Sequence, residues 1–246
     1  MVYSSKNNEF IKEIKKLNTK KYRDITNTYL VEGEHLVTEA INMKVAKYVI
    51  LEQNFKFETD LDKFLVTNDI LKYISNLDNP QKVMAVCNKN EDVKIGNKIL
   101  ILDDIQDPGN LGTIIRSCVA FNIDTLVLSE NTVDLYNSKV IRASQGMIFK
   151  LNIITTNIID FIKKLDDSYK IIGTDVTSGK KISNFKNIDK FAIIMGNEGN
   201  GLSKEARSLC NDYIYIPINS NCESLNVGVA ASIIMYELGD LWTIFV

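Results

Sequence analysis

Five short, predominantly apolar runs constrain the fold of this chain more than any other feature: Ile99–Leu102, Thr125–Leu128, Lys170–Gly173, Phe191–Met195 and Tyr213–Ile216. They lack the alternation of a half-exposed strand, and their length suits strands buried on both faces. Helical patterns separate them, at Gly112–Phe121, Ser138–Ser144, Ile158–Leu165, Lys204–Cys210 and a closing segment from Val227 to about Leu241. Such alternation predicts a parallel sheet covered by helices on both sides, an α/β domain.

A second, smaller α/β unit precedes it. Phe10, Ile11, Ile14 and Leu17 repeat at helical spacing between lysines, which predicts an amphipathic first helix. A strand at Tyr29–Glu32, a helical stretch around Leu36–Ile41, strands at Lys47–Leu51 and Lys63–Thr67, a helix near Asp69–Ser75 and a strand at Val83–Cys87 follow. Asn88–Lys98 is polar, charged and without period, and reads as a linker. The expected domains are therefore 1–90 and 99–246.

Composition narrows the class. The 246 residues carry a formal net charge of −2, so no whole-protein basic field announces a nucleic-acid partner. The basic excess lies before residue 24, at Lys6, Lys12, Lys15, Lys16, Lys20, Lys21 and Arg23. A solvated helix face and an RNA-phosphate contact both account for that run. Cys87, Cys118, Cys210 and Cys222 form no CxxC pair and read as free thiols in a reducing compartment. The N-terminus lacks a signal-peptide core, and Glu237 and Asp240 interrupt the longest apolar stretch. A cytoplasmic protein without a membrane span is expected. His35 is the single histidine, so neither a His-based triad nor a metal cluster is expected; it reads as a helix-surface residue.

Three loops at the ends of the predicted strands concentrate the chemistry. In Asp107-Pro108-Gly109-Asn110-Leu111-Gly112-Thr113-Ile114-Ile115-Arg116, Pro108 and Gly109 are expected to turn the chain before a helix starting near Leu111. Arg116 would then lie about one turn in. The chain has four arginines, at 23, 116, 142 and 207, among 29 basic residues, so an Arg between apolar neighbours suggests a need for its planar fork; a surface ion pair is the alternative. Met195-Gly196-Asn197-Glu198-Gly199-Asn200-Gly201 has glycines that permit close backbone approach. It lacks the GK[ST] of a P-loop and the dinucleotide fingerprint order. Glu198 would repel a phosphate, so a cationic or hydrogen-bond-donating ligand fits better. An ordinary strand–helix turn is the alternative. In the third loop, Ile216-Pro217-Ile218 could wall a flat ring, and Ser224-Leu225-Asn226-Val227 could supply hydrogen bonds or cap the closing helix,.

Together the loops resemble the SpoU (TrmH) branch of the SPOUT RNA methyltransferases. The resemblance rests on the order of Asp107 to Arg116, Ile194-Met-Gly-Asn-Glu-Gly199, Ile216-Pro-Ile and Ser224-Leu-Asn-Val, with Ile141-Arg-Ala-Ser-Gln-Gly146 between. It covers 99–246 most fully. Lys21-Tyr22-Arg23 and Val31-Glu32-Gly33 resemble the family's small L30e-like substrate-binding domain. Departures are confined to loop detail: Asp107 for a usual Asn, Ile218 for Met, Ser220 for Gly and Gly228 for Ser.

The resemblance implies a 2′-O-ribose methyltransferase using S-adenosylmethionine and no metal, with a C-terminal trefoil knot and a homodimer formed through that domain. Gly196, Ile216, Ile218, Leu225 and Asn226 would hold the cofactor. Asn110 and Arg116 would serve the RNA side, with Glu198, Ser224 and Asn226 completing the active site. The family's dimer often places first-loop residues of one subunit near the cofactor of the other. Ribosomal RNA, 23S above all, is the expected substrate; a tRNA enzyme of the same branch and a non-catalytic RNA-binding protein are the alternatives. A guanidinium is a poor base, so Arg116 is expected to orient the ribose-phosphate and stabilise developing oxyanion charge. The substrate phosphate, Glu198 or a deprotonated Arg116 could take the 2′-OH proton.

Overall fold

Ile99, Leu100, Ile101 and Leu102 are all fully buried, as a strand covered on both faces requires. They belong to β6 (Lys98–Leu102), fifth in the spatial order of a seven-stranded sheet in a computed structural model that describes residues 1–90, 94–185 and 188–239. The chain divides into two units, Met1–Asp92 with Asp134–Phe149, and Val93–Val133 with Lys150–Val246.

The first unit contains β1 (Val2–Tyr3), α1 (Glu9–Lys16), α2 (Lys20–Thr26), β2 (Thr28–Glu32), α3 (Glu34–Asn42), β3 (Ala46–Glu52), β4 (Lys63–Val66), α4 (Asn68–Ile74) and β5 (Val83–Asn88). Its sheet runs β1-β4-β3-β5-β2. The β1–β4 and β4–β3 pairs are parallel, while β5 is antiparallel to both β3 and β2. Ile11 and Ile14 of α1 pack with Ile70, Leu71 and Ile74 of α4 in one apolar cluster, so the helical repeat read from the sequence marks core positions. The short β1 and α2 were not expected. In α2, Lys20, Lys21, Arg23 and Asp24 leave no apolar stripe, and the helix is held instead by Arg23. That side chain is buried, donates from Nη1 to the Leu17 carbonyl at 2.8 Å and pairs with Asp134.

The basic run is partly neutralised locally. Lys12 pairs with Glu9 and Lys16 with Glu13, each at 2.8 Å. His35 is exposed on α3, as expected.

The second unit contains β6 (Lys98–Leu102), α5 (Pro108–Ala120) and β7 (Thr125–Leu128). After α6 (Ser138–Ser144), which belongs to the first unit, come β8 (Asn152–Thr155), α7 (Ile158–Lys164), β9 (Lys170–Thr174), β10 (Lys180–Lys181), β11 (Phe191–Met195), α8 (Lys204–Ser208), β12 (Asp212–Tyr215) and α9 (Val227–Leu238). The strand order is β10-β12-β9-β11-β6-β7-β8 and every pair is parallel. The edge strands β8 and β10 escaped the sequence pattern because one is half-exposed and the other is two exposed lysines. The end of the expected closing helix, beyond Gly239, and part of the expected linker, 91–93, lie outside the described residues.

Two boundaries differ in ways that matter for the site. Helix α5 begins at Pro108 rather than near Leu111: Asp107 is its N-cap, accepting the Asn110 N–H at 2.8 Å, and Pro108 occupies the first turn. A proline lacks only a donor that the first turn leaves unused. Arg116 therefore lies roughly two turns into the helix, not one. Strand β12 stops at Tyr215, which leaves Ile216 in the loop.

Asp134–Phe149, inside the span expected for the second domain, clusters with the first unit. The Arg23–Asp134 pair, the Tyr29–Tyr136 ring contact at 4.4 Å and the packing of α6 on β2 hold it there. No helix among the described residues is long and apolar enough to cross a membrane. All four cysteines are free, with Cys87 and Cys118 buried.

Candidate active site

Four neighbouring parallel strands, β12, β9, β11 and β6, deliver their C-terminal loops to one edge of the second sheet. That edge is where open α/β sheets bind ligands. The loop after β11 folds back on itself: Asn197 N–H donates to the Gly201 carbonyl at 3.0 Å, and Gly201 N–H returns a bond to Asn197 at 2.9 Å. A Cβ on Gly196 would sit 2.2 Å from the Gly201 carbonyl carbon. No side chain fits there without reopening the loop.

Side-chain hydrogen bonds tie the loops together. Asn110 Nδ2 donates to Glu198 Oε1 at 3.0 Å, and Asn226 Nδ2 donates to Asn110 Oδ1 at 2.9 Å. Asn226 Oδ1 meanwhile accepts from the Gly228 and Val229 N–H groups as N-cap of α9. The backbone N–H groups of Gln106 and Asp107 also reach the Glu198 carboxylate, at 3.3 and 3.4 Å. Behind them Asn197 Nδ2 donates to the Asp104 carbonyl at 2.7 Å, and Asp103 Oδ2 accepts from Ser203 N–H at 2.8 Å. Residues about ninety positions apart are thus held in one network.

Partial burial alone would raise the Glu198 carboxyl. The bonds from Asn110 and from backbone N–H groups, Gln106 and Asp107 among them, outweigh it and hold the group below its ordinary value,. Glu198 is a fixed anion whose lone pairs face its donors.

A cavity of about 540 Å³ opens beside this network. Gly196, Glu198, Ile216, Ile218, Leu225 and Asn226 line it, as does Ser224. Of the residues singled out in the sequence, Asn110 joins through its bonds to Glu198 and Asn226 without lining the cavity. Arg116 does not line it either. It is exposed on α5 and forms no hydrogen bond or ion pair among the described residues.

The cavity also uses residues the sequence reading passed over: Thr174 at the end of β9, Asp175 and Val176 after it, with Arg207 and Glu223. Arg207 Nη1 donates to Asp175 Oδ2 at 2.8 Å and its guanidinium lies over the Tyr213 ring. Burial pushes the Asp175 carboxyl up, but the N–H groups of Thr177 and Ser178, the Arg207 guanidinium and the Thr177 hydroxyl bring it down to about 2. The scarcity of arginine that marked Arg116 applied equally to Arg207. Among the described residues no group of three or more His, Cys, Asp or Glu side chains could hold a metal ion.

This parallel sheet with ligating loops on one edge belongs to a known class. The SpoU rRNA Methylase family matches residues 97–236 and an MRM3-like substrate binding domain matches 8–85; the chain belongs to the SpoU rRNA methylase family. It is 35% identical over 241 residues to the 23S rRNA (guanosine(2553)-2′-O)-methyltransferase RlmP of Bacillus subtilis, across 95% of this chain and 97% of that one. The crystal structure of an rRNA methyltransferase from Sinorhizobium meliloti matches with a TM-score of 0.84 and 27% identity, covering 96% of both chains. An AdoMet-bound structure of an rRNA methyltransferase from the same organism matches with the same TM-score, identity and coverage.

Proposed function

We propose that the protein is an S-adenosylmethionine-dependent methyltransferase that methylates a ribose 2′-hydroxyl in 23S ribosomal RNA. The observation that carries this reading is the Glu198–Asn110–Asn226 network beside the 540 Å³ cavity, in a chain of the SpoU family whose B. subtilis relative is a 23S rRNA 2′-O-methyltransferase.

The residues present suit the cofactor. Ile216, Ile218, Leu225 and Ala230 give the cavity an apolar wall for a flat ring, and the carboxylates of Glu198 and Asp175 complement a cation,. Gly196 keeps the lining backbone closed, as its missing Cβ requires. When bound, S-adenosylmethionine supplies an electrophilic methyl group on a sulfonium sulfur. The protein's task is then to place the ribose oxygen in line with that group and to exclude misaligned approaches.

We assign Asn110 and Asn226 the positioning of the reacting edge, with Glu198 orienting the Asn110 amide. Because Glu198 is held below the ordinary carboxylate range and its oxygens already accept from Asn110, Gln106 and Asp107, it orients its donors and is a weak base for the 2′-OH proton. Arg116 orients the ribose-phosphate and stabilises charge developing on the oxygen.

Arg116 lies away from the cavity lining of its own chain, which supports delivery from a second copy in a homodimer formed through the C-terminal domain. Val229 and Tyr236 of α9 are 47% and 59% exposed, an apolar face suited to such a contact. We further propose that the second and third loops form the trefoil knot of SPOUT proteins, that the first unit reads the RNA, and that the enzyme works in the cytoplasm. Incubation of the full chain with 23S rRNA and methyl-labelled S-adenosylmethionine tests the reading. Label should appear in alkali-resistant 2′-O-methylated dinucleotides; label in bases only, or none, refutes it.

A further inference from the structure

The first unit holds a cavity of about 150 Å³ that the methyl-transfer site does not use. It lies between β2, the turn after α4 and the start of α6. Its volume is below the ~300 Å³ typical of sites for drug-sized ligands, and suits a single flat fragment. Leu30, Leu77 and Ile141 supply apolar walls. Glu32, Asn137, Ser138 and Arg142 supply polar groups.

Much of that polar capacity is unfilled by the protein. The side chains of Ser138 and Arg142 form no hydrogen bond among the described residues, and Asn137 engages only Oδ1, with Lys139 N–H. Glu32 is fixed by Ser75, whose hydroxyl donates to Oε2 at 2.6 Å. A carboxylate has about four acceptor sites, so Glu32 retains capacity. Burial raises its pKa against the opposing pull of Ser75, the Asn76 N–H, Arg142 and Lys15. Arg142 is exposed to solvent at the cavity mouth, whereas Arg23, which also lines the cavity, has a buried Nε without a hydrogen-bond partner, and a buried donor left open beside a cavity calls for an occupant.

The charges indicate which kind. A phosphate would meet Glu32 and be repelled. A base edge carries no charge and can face both a carboxylate and a guanidinium. Guanine alone among the four bases sets two adjacent N–H donors (N1–H and N2–H) beside two adjacent acceptors (O6 and N7). A carboxylate matches the first pair and an arginine fork the second. Proteins read single-stranded RNA by taking unstacked bases into such pockets.

We propose that this cavity receives one unpaired guanine of the RNA substrate, its N–H edge on Glu32 and its acceptor edge on Arg142. Arg23 acts as a positioning residue by fixing Asp134 and hence the α6 segment that carries Arg142. The assignment rests on the reading of the chain as an RNA methyltransferase. It adds a specificity site to that reading.

The test uses the full chain and three nine-nucleotide RNAs: all-uridine, uridine with one central guanosine, and uridine with one central inosine, which lacks the N2 amino group. Fluorescence anisotropy should show the guanosine RNA binding on the order of tenfold more tightly than either other RNA. Glu32→Gln should abolish the preference for guanosine over inosine, and Arg142→Ala the preference over all-uridine. Both variants should keep the wild-type melting temperature and S-adenosylmethionine affinity. Equal binding of the three RNAs by the wild type, or an unchanged preference in both variants, overturns the assignment and leaves water as the occupant. Methyl transfer by the wild type to 23S rRNA is read separately, so failure of the pocket and failure of the enzymatic reading are distinguishable.

Discussion

Asn110 Nδ2 and Glu198 Oε1 lie 3.0 Å apart although 88 residues separate them in the chain. That bond fixes the start of α5 against the loop after β11, and Asn226 extends it to the start of α9. A contiguous network of this kind predicts energetic coupling. Asn110→Ala and Glu198→Ala should each weaken S-adenosylmethionine binding severalfold. Their double mutant should lose less than the sum, with a coupling energy of about 1 kcal/mol by calorimetry. Strict additivity would separate the two residues functionally.

The Glu198 carboxyl also makes a pH prediction. Its pKa is lowered in the folded protein, so its contribution to stability is present above the unfolded value, roughly 4.3, and is lost as pH falls through the folded value,. Asn110→Ala removes one of the bonds responsible, and carboxyl-carbon NMR should show Glu198 titrating at higher pH in the variant.

Asp175 is the stronger case. Its carboxyl titrates near pH 2 while paired with Arg207, against roughly 3.9 in an unfolded chain. Its stabilising contribution should therefore be complete above about pH 4 and fade between about pH 4 and pH 2. Arg207→Ala should raise the Asp175 pKa and loosen the Thr174–Val176 wall of the cavity. A fall in S-adenosylmethionine affinity with little change in single-turnover rate at saturation is expected.

Arg116 lies outside that wall, so the opposite split is expected. Arg116→Ala should leave S-adenosylmethionine affinity within about twofold and lower the single-turnover rate by about a hundredfold or more. Arg116→Lys should remain close to the alanine variant because the ammonium lacks the planar fork. Near-normal rates in the lysine variant would remove the role assigned to fork geometry.

A shared site predicts complementation. Mixed dimers of Arg116→Ala and Asn226→Ala subunits should regain methyl transfer, because one of their two sites combines an intact cavity with the partner's Arg116. If each subunit works alone, mixing restores nothing.

Much of this arrangement could be read from the chain because its physics is local. Buried strands such as Phe191–Met195 are written as apolar runs, and Asn226 was legible as a helix cap from the residues that follow it. The unread parts depend on distant partners. Helix α2 has no apolar stripe, since its buried residue is Arg23 and its anchor is Asp134. Asp175 became part of the cavity because β9 lies beside β11 and β12, an adjacency that no local pattern records. The shift of α5 to Pro108 was within reach, since Asp followed by Pro is a recognisable helix start; the Pro-Gly turn signal obscured it.

The most direct test of the central claim is a mass-spectrometric map of ribose methylation in ribosomal and transfer RNA from cells with and without this protein. Loss of one 2′-O-methylated nucleotide from 23S rRNA, restored by the wild-type chain and not by Arg116→Ala, is the predicted result. An unchanged 23S rRNA map, with or without a change in tRNA, would contradict it.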